Sequence, residues 1–385
     1  MEDILNLEQS LDQDTRLLRD NLRRFVDQEI IPLMPQAFEK GELPAQLIPK
    51  MADLGLFGMT LPENYGGSNA SYLSYGLACQ ELERGDSGLR SFTSVQSSLC
   101  MFPIFKYGSL EQKQRFLPKM AKGEIIGCFG LTEPNSGSNP AGLQTTAIPN
   151  QNGWLLNGSK LWITNADIAD VAIVWAQTPE GIRGFLVERT REGFSSHSIK
   201  EKLSLRVGNT GGLTFINCQI PESHLLPGTE VGLRAALSCL TEARYGIAWG
   251  AIGAAIACFD QTLDYTLQRK QFEKPIAGFQ LVQKDLVDMF TEITKAQAIN
   301  FQIGQLADQQ KLTPELISLA KMNAAHTGLQ VARKCRNLLG ANGIILEYHV
   351  IRHMLNLESV FTYEGTDNIH HLILGKYLTG LNALT

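Results

Sequence analysis

Thr362-Tyr363-Glu364-Gly365-Thr366-Asp367-Asn368-Ile369-His370 lies near the end of the 385-residue chain and sets one carboxylate between an aromatic ring and a glycine. Gly365 has no Cβ, so a ligand can approach the backbone beside the acid. Thr366 or Asp367 is placed to cap a helix running through Ile369, Leu372, Ile373 and Leu374. The start of such a helix presents unpaired N–H groups and a partial positive charge to an anionic ligand. Taken alone, a glutamate beside an aromatic ring is more often a solvated loop acid.

Working back from this stretch, the pattern after Pro227 predicts long helices over about 231–270 and 279–310. A third opens with Thr313 as cap and Pro314 at the first helical position and stops at Gly340-Ala341-Asn342-Gly343. Shorter helices are expected over 346–358 and 367–381, and long helices with short connections make an antiparallel bundle. Between about 126 and 225 the pattern is strand-like instead: Trp154–Leu156, Lys160–Thr164, Val171–Trp175, Gly184–Val187 and Leu213–Ile216, separated by Asn152-Gly153, Asn157-Gly158, Pro179 and Gly211-Gly212. Short strands at this spacing suggest a small β-barrel or sandwich. Residues 1 to about 125 read as helices, with stripes at Leu18, Leu22, Phe25 and Val26 (ending near Pro32) and at Tyr72, Tyr75, Cys79 and Leu82 (closing at Gly85). Ser109 with Gln112 forms a capping box. The expected class is α+β, with a helical domain over 1–125, a β domain over 126–230 and a helical bundle over 231–385.

A net charge of −5 argues against nucleic acid as the main partner. The seven cysteines are scattered and odd in number, as expected of reduced thiols in a reducing compartment. The most apolar run, Tyr245 to Phe259, is too short to span a bilayer and fits a core helix. Glu2, Asp3, Glu8 and Asp12 leave no secretory or transit signal visible, so a prokaryotic cytoplasm is the simplest expected location; a processed protein of the mitochondrial matrix would read the same. His349 and His353 are four apart on a helix, but no third ligand or H-E-x-x-H pattern accompanies them, and no metal site is expected.

The full string around Glu364 resembles the catalytic-base segment of the acyl-CoA dehydrogenases. Tyr363-Glu364-Gly365-Thr366, followed by Ile369-His370 and Leu372-Ile373-Leu374-Gly375, is most similar to the branch of that family acting on glutaryl-CoA. Phe129-Gly130-Leu131-Thr132-Glu133-Pro134-Asn135-Ser136-Gly137-Ser138 resembles the family's flavin signature, which has aspartate where this chain has Asn139. By composition alone it is a turn-rich surface loop. The resemblance implies FAD as cofactor, with Phe129, Leu131, Thr132 and Ser138 near the flavin, and Trp162, Ile163 and Thr164 as a second flavin element. It also implies that Arg269 and Gln280 reach the FAD of a neighbouring subunit, that Asn337, Gly340, Ala341 and Thr366 contact the cofactor, and that the assembly is a homotetramer. Ala341 replaces a more usual glycine, which matters if the position requires positive φ.

On the substrate side the resemblance implies Glu364 as base, with Arg90, Ser91, Ser94, Ser138, Arg244, Tyr245 and Gly365 around the acyl-CoA. Arg90 lies in a segment similar to the one by which the glutaryl-CoA branch holds the distal carboxylate. The planar fork of arginine suits that task; the bland alternatives are a surface arginine at position 90 and a structural ion-pair partner at Arg244. Leu89 stands where an aromatic is expected. The implied reaction is oxidative decarboxylation of glutaryl-CoA to crotonyl-CoA and CO2, with electrons passed to an electron-transfer flavoprotein. Oxidation of glutaryl-CoA or another short acyl-CoA without decarboxylation, direct reaction with oxygen, and a non-catalytic acyl-CoA-binding scaffold remain open at this point.

Overall fold

The computed structural model describes residues 1–383; the last two residues of the expected third domain lie outside the described residues. The first region holds α1 (Gln13–Phe25), α2 (Met34–Lys40), α3 (Leu47–Asp53), α4 (Tyr72–Gly85), α5 (Ser87–Ser94), α6 (Phe102–Tyr107) and α7 (Leu110–Ala121). The capping box forms as expected, with Ser109 Oγ accepting from Gln112 N at 3.2 Å and Gln112 Oε1 from Ser109 N at 2.9 Å. The first stripe does not end at Pro32. The chain continues as a wider turn over Val26–Ile30 and a 3₁₀ turn over Ile31–Leu33, where Pro32 sits in the first turn and loses no helical donor.

The middle region is one seven-stranded sheet: β1 (Gly127–Gly130), β2 (Thr146–Asn150), β3 (Gly153–Thr164), β4 (Val171–Thr178), β5 (Gly181–Glu188), β6 (Phe194–Ser198) and β7 (Thr210–Ile220). Their order is β1-β4-β2-β3-β7-β6, with β5 paired antiparallel to β4. The two runs read as Trp154–Leu156 and Lys160–Thr164 are one twelve-residue strand, because Asn157-Gly158 makes a bulge rather than a turn. Gly158 has φ +144°, and a second register shift falls between Leu161 and Ile163, where Trp162 has φ +62°. A bulge adds a residue to one strand and bends it.

The last region is a bundle of α8 (Leu233–Gln268), α9 (Gln280–Asp308) and α10 (Pro314–Leu338), followed by α11 (Val350–Thr362) and α12 (Asp367–Thr379); a two-residue ribbon, β8 (Lys270–Gln271) with β9 (Lys274–Pro275), separates α8 from α9. Thr313 caps α10 as its position predicts. The most apolar 18-residue window of α8 is 83% buried, against α4, α9 and α10 among others, so it is the core helix that its charge-free run implies. Close approach of α4 to α8 depends on small residues. A Cβ at Gly253 would lie 1.9 Å from the Gln80 carbonyl oxygen, and one at Gly250 would lie 2.0 Å from Glu83 Oε2. All seven cysteines are buried free thiols.

Candidate active site

The base segment is the reversal between α11 and α12. Tyr363 is extended and its N–H still reaches Ser359 O at 2.8 Å; Glu364 and Gly365 then take φ +49° and +99°, and Thr366 Oγ1 caps α12. A left-handed non-glycine residue costs on the order of 1–3 kcal/mol and persists only where the surroundings hold it. Arg244 Nε on α8 donates to the carbonyl oxygen of Glu364 at 2.7 Å. Lys321 Nζ on α10 donates to the carbonyl oxygens of Gly365 at 2.9 Å and Phe361 at 3.4 Å. The Glu364 carboxyl itself is left with Oε2 buried and unpartnered. Burial raises its pKa to about 7, against the pull of Arg244, Arg90 and Lys321. An acid poised there can take a proton at working pH.

Arg90, on α5, is 1% exposed and therefore not the surface arginine of the bland reading. Its Nε donates to Glu83 Oε2 at 2.5 Å, Nη1 to Ser94 Oγ at 3.2 Å, and Nη2 to the hydroxyl of Tyr363, the neighbour of Glu364. Ser87 Oγ donates to the other oxygen of Glu83 at 2.8 Å. Three of the five guanidinium N–H groups are thus engaged, leaving one on each terminal nitrogen, the number a bidentate carboxylate contact needs. The pairing with Glu83 also stabilises the charge of Arg90 in its buried setting.

The loop after β1 is anchored from below. Lys160 Nζ donates to Leu131 O at 3.2 Å and to Glu133 Oε1 at 2.8 Å, while Glu133 accepts from the N–H groups of Gln144 at 2.6 Å and Thr145 at 2.9 Å. Burial pushes the lysine down to about 8. Phe129 packs on Trp175 beneath the loop, Thr132 O accepts from Leu161 N, and Ser138 stands exposed. Asn139 stands exposed at the end of a local turn, its carbonyl accepting from Ser136 Oγ at 2.6 Å. Above this, the second bulge turns Trp162 outward, 59% exposed, with Thr164 half-buried nearby on the strand. An indole held on a strained bulge beside a polar loop fits the flat face of a flavin.

A cavity of about 320 Å³ is lined by Tyr265, Arg269, Gln271, Gly340, Ala341 and Asn342 among others, and by none of Glu364, Arg90 or Trp162. Gln280 and Asn337 are exposed near its rim elements. Gly340 takes φ +59°, but Ala341 is not among the positive-φ residues, so alanine there meets no backbone conflict.

Some expected contacts are placed differently. The side chain of Ile163 packs into the inner core of the sheet, because the bulge turns Trp162 outward and Ile163 inward. Tyr245 is 1% exposed, and its hydroxyl is committed to Tyr72 O at 2.7 Å. Leu89 is fully buried in the core and does not line the polar end. Ser91 is buried beside Arg90 without bonding it, whereas Ser94 does bond it. His353 lies edge-on to His349, ring centroids 5.9 Å apart, and both of its ring nitrogens are unpartnered. Sequence reasoning passed over Lys321 and Lys160. Each is a lysine on a mostly apolar face, a signal that was available because lysine is almost never fully buried unless paired.

The chain matches the family models of the acyl-CoA dehydrogenase N-terminal domain over residues 12–124, middle domain over 128–218 and C-terminal domain over 230–379. It is 36% identical to an acyl-CoA dehydrogenase of Bacillus subtilis over 373 residues, covering 96% of this chain and 98% of the relative. The crystal structure of a glutaryl-CoA dehydrogenase from Mycobacterium smegmatis in complex with FADH2 superposes with a TM-score of 0.97 at 49% identity, covering 99% of this chain and 98% of that one. A glutaryl-coenzyme A dehydrogenase in complex with glutaryl-CoA gives a TM-score of 0.93 at 31% identity, with 96% of each chain covered.

Proposed function

This chain belongs to the acyl-CoA dehydrogenase family and is an FAD-dependent flavoprotein; from that premise we propose that it oxidises glutaryl-CoA and decarboxylates the product to crotonyl-CoA and CO2. The observation that carries the reading is the bond from Arg90 to Tyr363, which ties a buried cation to the residue beside the unpartnered carboxyl of Glu364. A five-carbon diacid thioester has an acidic C–H next to the thioester and an anion at its far tip, and these two groups match its two ends.

Phe129, Leu131, Thr132, Ser138, Trp162 and Thr164 would hold the isoalloxazine end of the cofactor, and Arg269, Gln280, Asn337, Gly340, Ala341 and Thr366 would serve cofactor contacts between subunits of a tetramer. When bound, FAD supplies the acceptor for the hydride leaving the β-carbon. Glu364 removes the α-proton, and its backbone N–H faces the thioester oxygen as negative charge develops there. Arg244 holds the Glu364 carbonyl so that the carboxyl is aimed rather than free. Arg90 pairs with the distal carboxylate until its carbon–carbon bond breaks and CO2 leaves. The electron pair from that bond enters the dienolate, and protonated Glu364 returns its proton to give crotonyl-CoA. The two electrons of the oxidation then pass to an electron-transfer flavoprotein.

Product analysis after incubation of the holoenzyme with glutaryl-CoA and a dye acceptor tests this directly. Crotonyl-CoA with stoichiometric CO2 is expected. Glutaconyl-CoA as the sole product would remove the decarboxylation step, and Arg90→Ala losing glutaryl-CoA and butyryl-CoA oxidation equally would make Arg90 structural.

A further inference from the structure

Lys321 is fully buried on α10, at 1% exposure, on a mostly apolar stripe with Ile317, Ser318, Ala320, Ala324, Ala325 and Gly328. It forms no ion pair within 4.0 Å among the described residues. Its ammonium instead donates to two carbonyl oxygens, those of Phe361 and Gly365, which bracket Glu364 in sequence. An ammonium so desolvated is costly unless its position contributes something, and ordinary helix packing would be served as well by methionine or leucine. We propose that Lys321 is a positioning residue: its ammonium splints the left-handed turn carrying Glu364 from one side, as Arg244 does from the other, and so sets both the aim and the acidity of that carboxyl.

The geometry supports the splint in three ways. The turn has φ +49° and +99° at successive residues, and such a conformation has to be held by its surroundings. The two carbonyls lie on either side of the turn, so one donor group closes it as a clasp. The third anchor, Arg244 Nε at 2.7 Å from Glu364 O, grips the middle carbonyl from α8, leaving the carboxyl as the part of this turn with an unpartnered buried oxygen.

The charges facing this turn come from every element around it. They are Arg244 on α8, Arg90 with Glu83 on α5 and α4, Tyr363 within the turn, and Asp367 and His370 on α12. His370 is buried with both ring nitrogens unpartnered and is held neutral, its pKa pushed down to about 3 by burial and then by Lys321 and Arg244. Asp367, which bonds His326 Nε2 at 2.7 Å, is a smaller opposing charge on Lys321 than Glu364. Lys321 is pushed down to about 7 by burial, with Glu364 as its largest opposing charge, so the two groups titrate in one range and each favours the charged form of the other.

The proposal rests on Glu364 being the base, and its test separates the two ideas. Holoenzyme variants Lys321→Met, Lys321→Gln and Glu364→Gln are compared with the parent in the pH profile of kcat/KM for glutaryl-CoA, with flavin content as the check on folding. Lys321→Met, of similar length without charge or donors, is expected to lower the pH-independent plateau about 10-fold to 100-fold, as misaimed catalytic groups do. Lys321→Gln keeps a donor without the charge and is expected to hold most of the plateau. In both, the acidic limb moves to higher pH, because a cation that favoured the carboxylate is gone. A Lys321→Met profile superimposable on the parent, with Glu364→Gln inactive, overturns the splint alone. Glu364→Gln with near-normal turnover overturns the base assignment and the splint with it. If Lys321→Met fails to retain flavin, the position of the acidic limb in Lys321→Gln decides: a shift supports the proposal and an unshifted limb refutes it.

Discussion

Gly250→Ala puts one methyl group into the space between α8 and the Arg90–Glu83 pair, and the structure fixes the size of the effect. The new Cβ would lie 2.0 Å from Glu83 Oε2 and 2.9 Å from Arg90 Nε. Non-bonded heavy atoms settle at about 3.5 Å, so the carboxylate has to retreat by roughly 1.5 Å. Glu83 is 0% exposed and Arg90 1%, and Ser87 already holds the far oxygen of Glu83, so there is nowhere to retreat that keeps the 2.5 Å contact. Breaking a buried ion pair costs about 3–5 kcal/mol. Alanine in a helix interior returns about 1 kcal/mol relative to glycine. The pair wins, and the expected net destabilisation is about 2–4 kcal/mol. Unfolding of the holoenzyme at fixed excess FAD measures it, and the ratio of kcat/KM for glutaryl-CoA over butyryl-CoA measures the functional part. That ratio is expected to fall by at least about tenfold, equivalent to about 1.4 kcal/mol of discrimination. A variant within about 0.5 kcal/mol of the parent, the range of a neutral surface change, with an unchanged ratio would refute the idea of a rigid pair set by the helix spacing.

Glu364 has its pKa raised to about 7 and has to be ionised to accept a proton, so kcat/KM should fall as pH drops through that value, tending to tenfold per unit below it; a flat profile from pH 8 to 5 would remove it as the titrating base. His353 is fully buried, with both ring nitrogens unpartnered, and burial pushes its pKa well below the ordinary 6.5. Below pH 6.5 the unfolded chain takes up a proton that the folded chain refuses, so stability present above that pH is lost as pH falls, by up to about 1.4 kcal/mol per unit for this one group. Denaturant midpoints at pH 7.5 and 5.5 should show the loss, and His353→Gln should flatten it; an unchanged slope in that variant would assign the acid sensitivity elsewhere.

The helical parts of this fold were legible because their signals are local. Thr313 and Ser109 cap where their side chains say they should, and the charge-free run from Tyr245 is buried as such runs usually are. The sheet was legible as a class but not in its strand count, since Asn157-Gly158 reads equally well as a hairpin turn or a bulge and only cross-strand pairing with β7 decides between them. The same long-range pairing hid the true orientation of Ile163. In the site, Glu364 and Arg90 stood out through the strings around them, yet the network joining them through Tyr363 spans 273 positions and has no local signature. Lys321 was missed for the opposite reason: its signal is a single charge on a buried stripe, which looks like nothing until the carbonyls it serves are in view.

Strand β3 has a further consequence, in the arithmetic of odd and even. Side chains along a strand alternate faces, so each inserted residue inverts the assignment of everything beyond it. Of the two irregularities, the one at Asn157-Gly158 puts its extra residue on β7 and the one at Trp162 puts it on β3, so β3 switches parity once, and Leu156 and Ile163 both end up inside although an odd interval separates them. Loss of a single residue ahead of Trp162 in this span would turn the indole inward and an isoleucine outward, exchanging the exposed ring for an oily patch. Length, more than residue identity, is what this segment has to preserve.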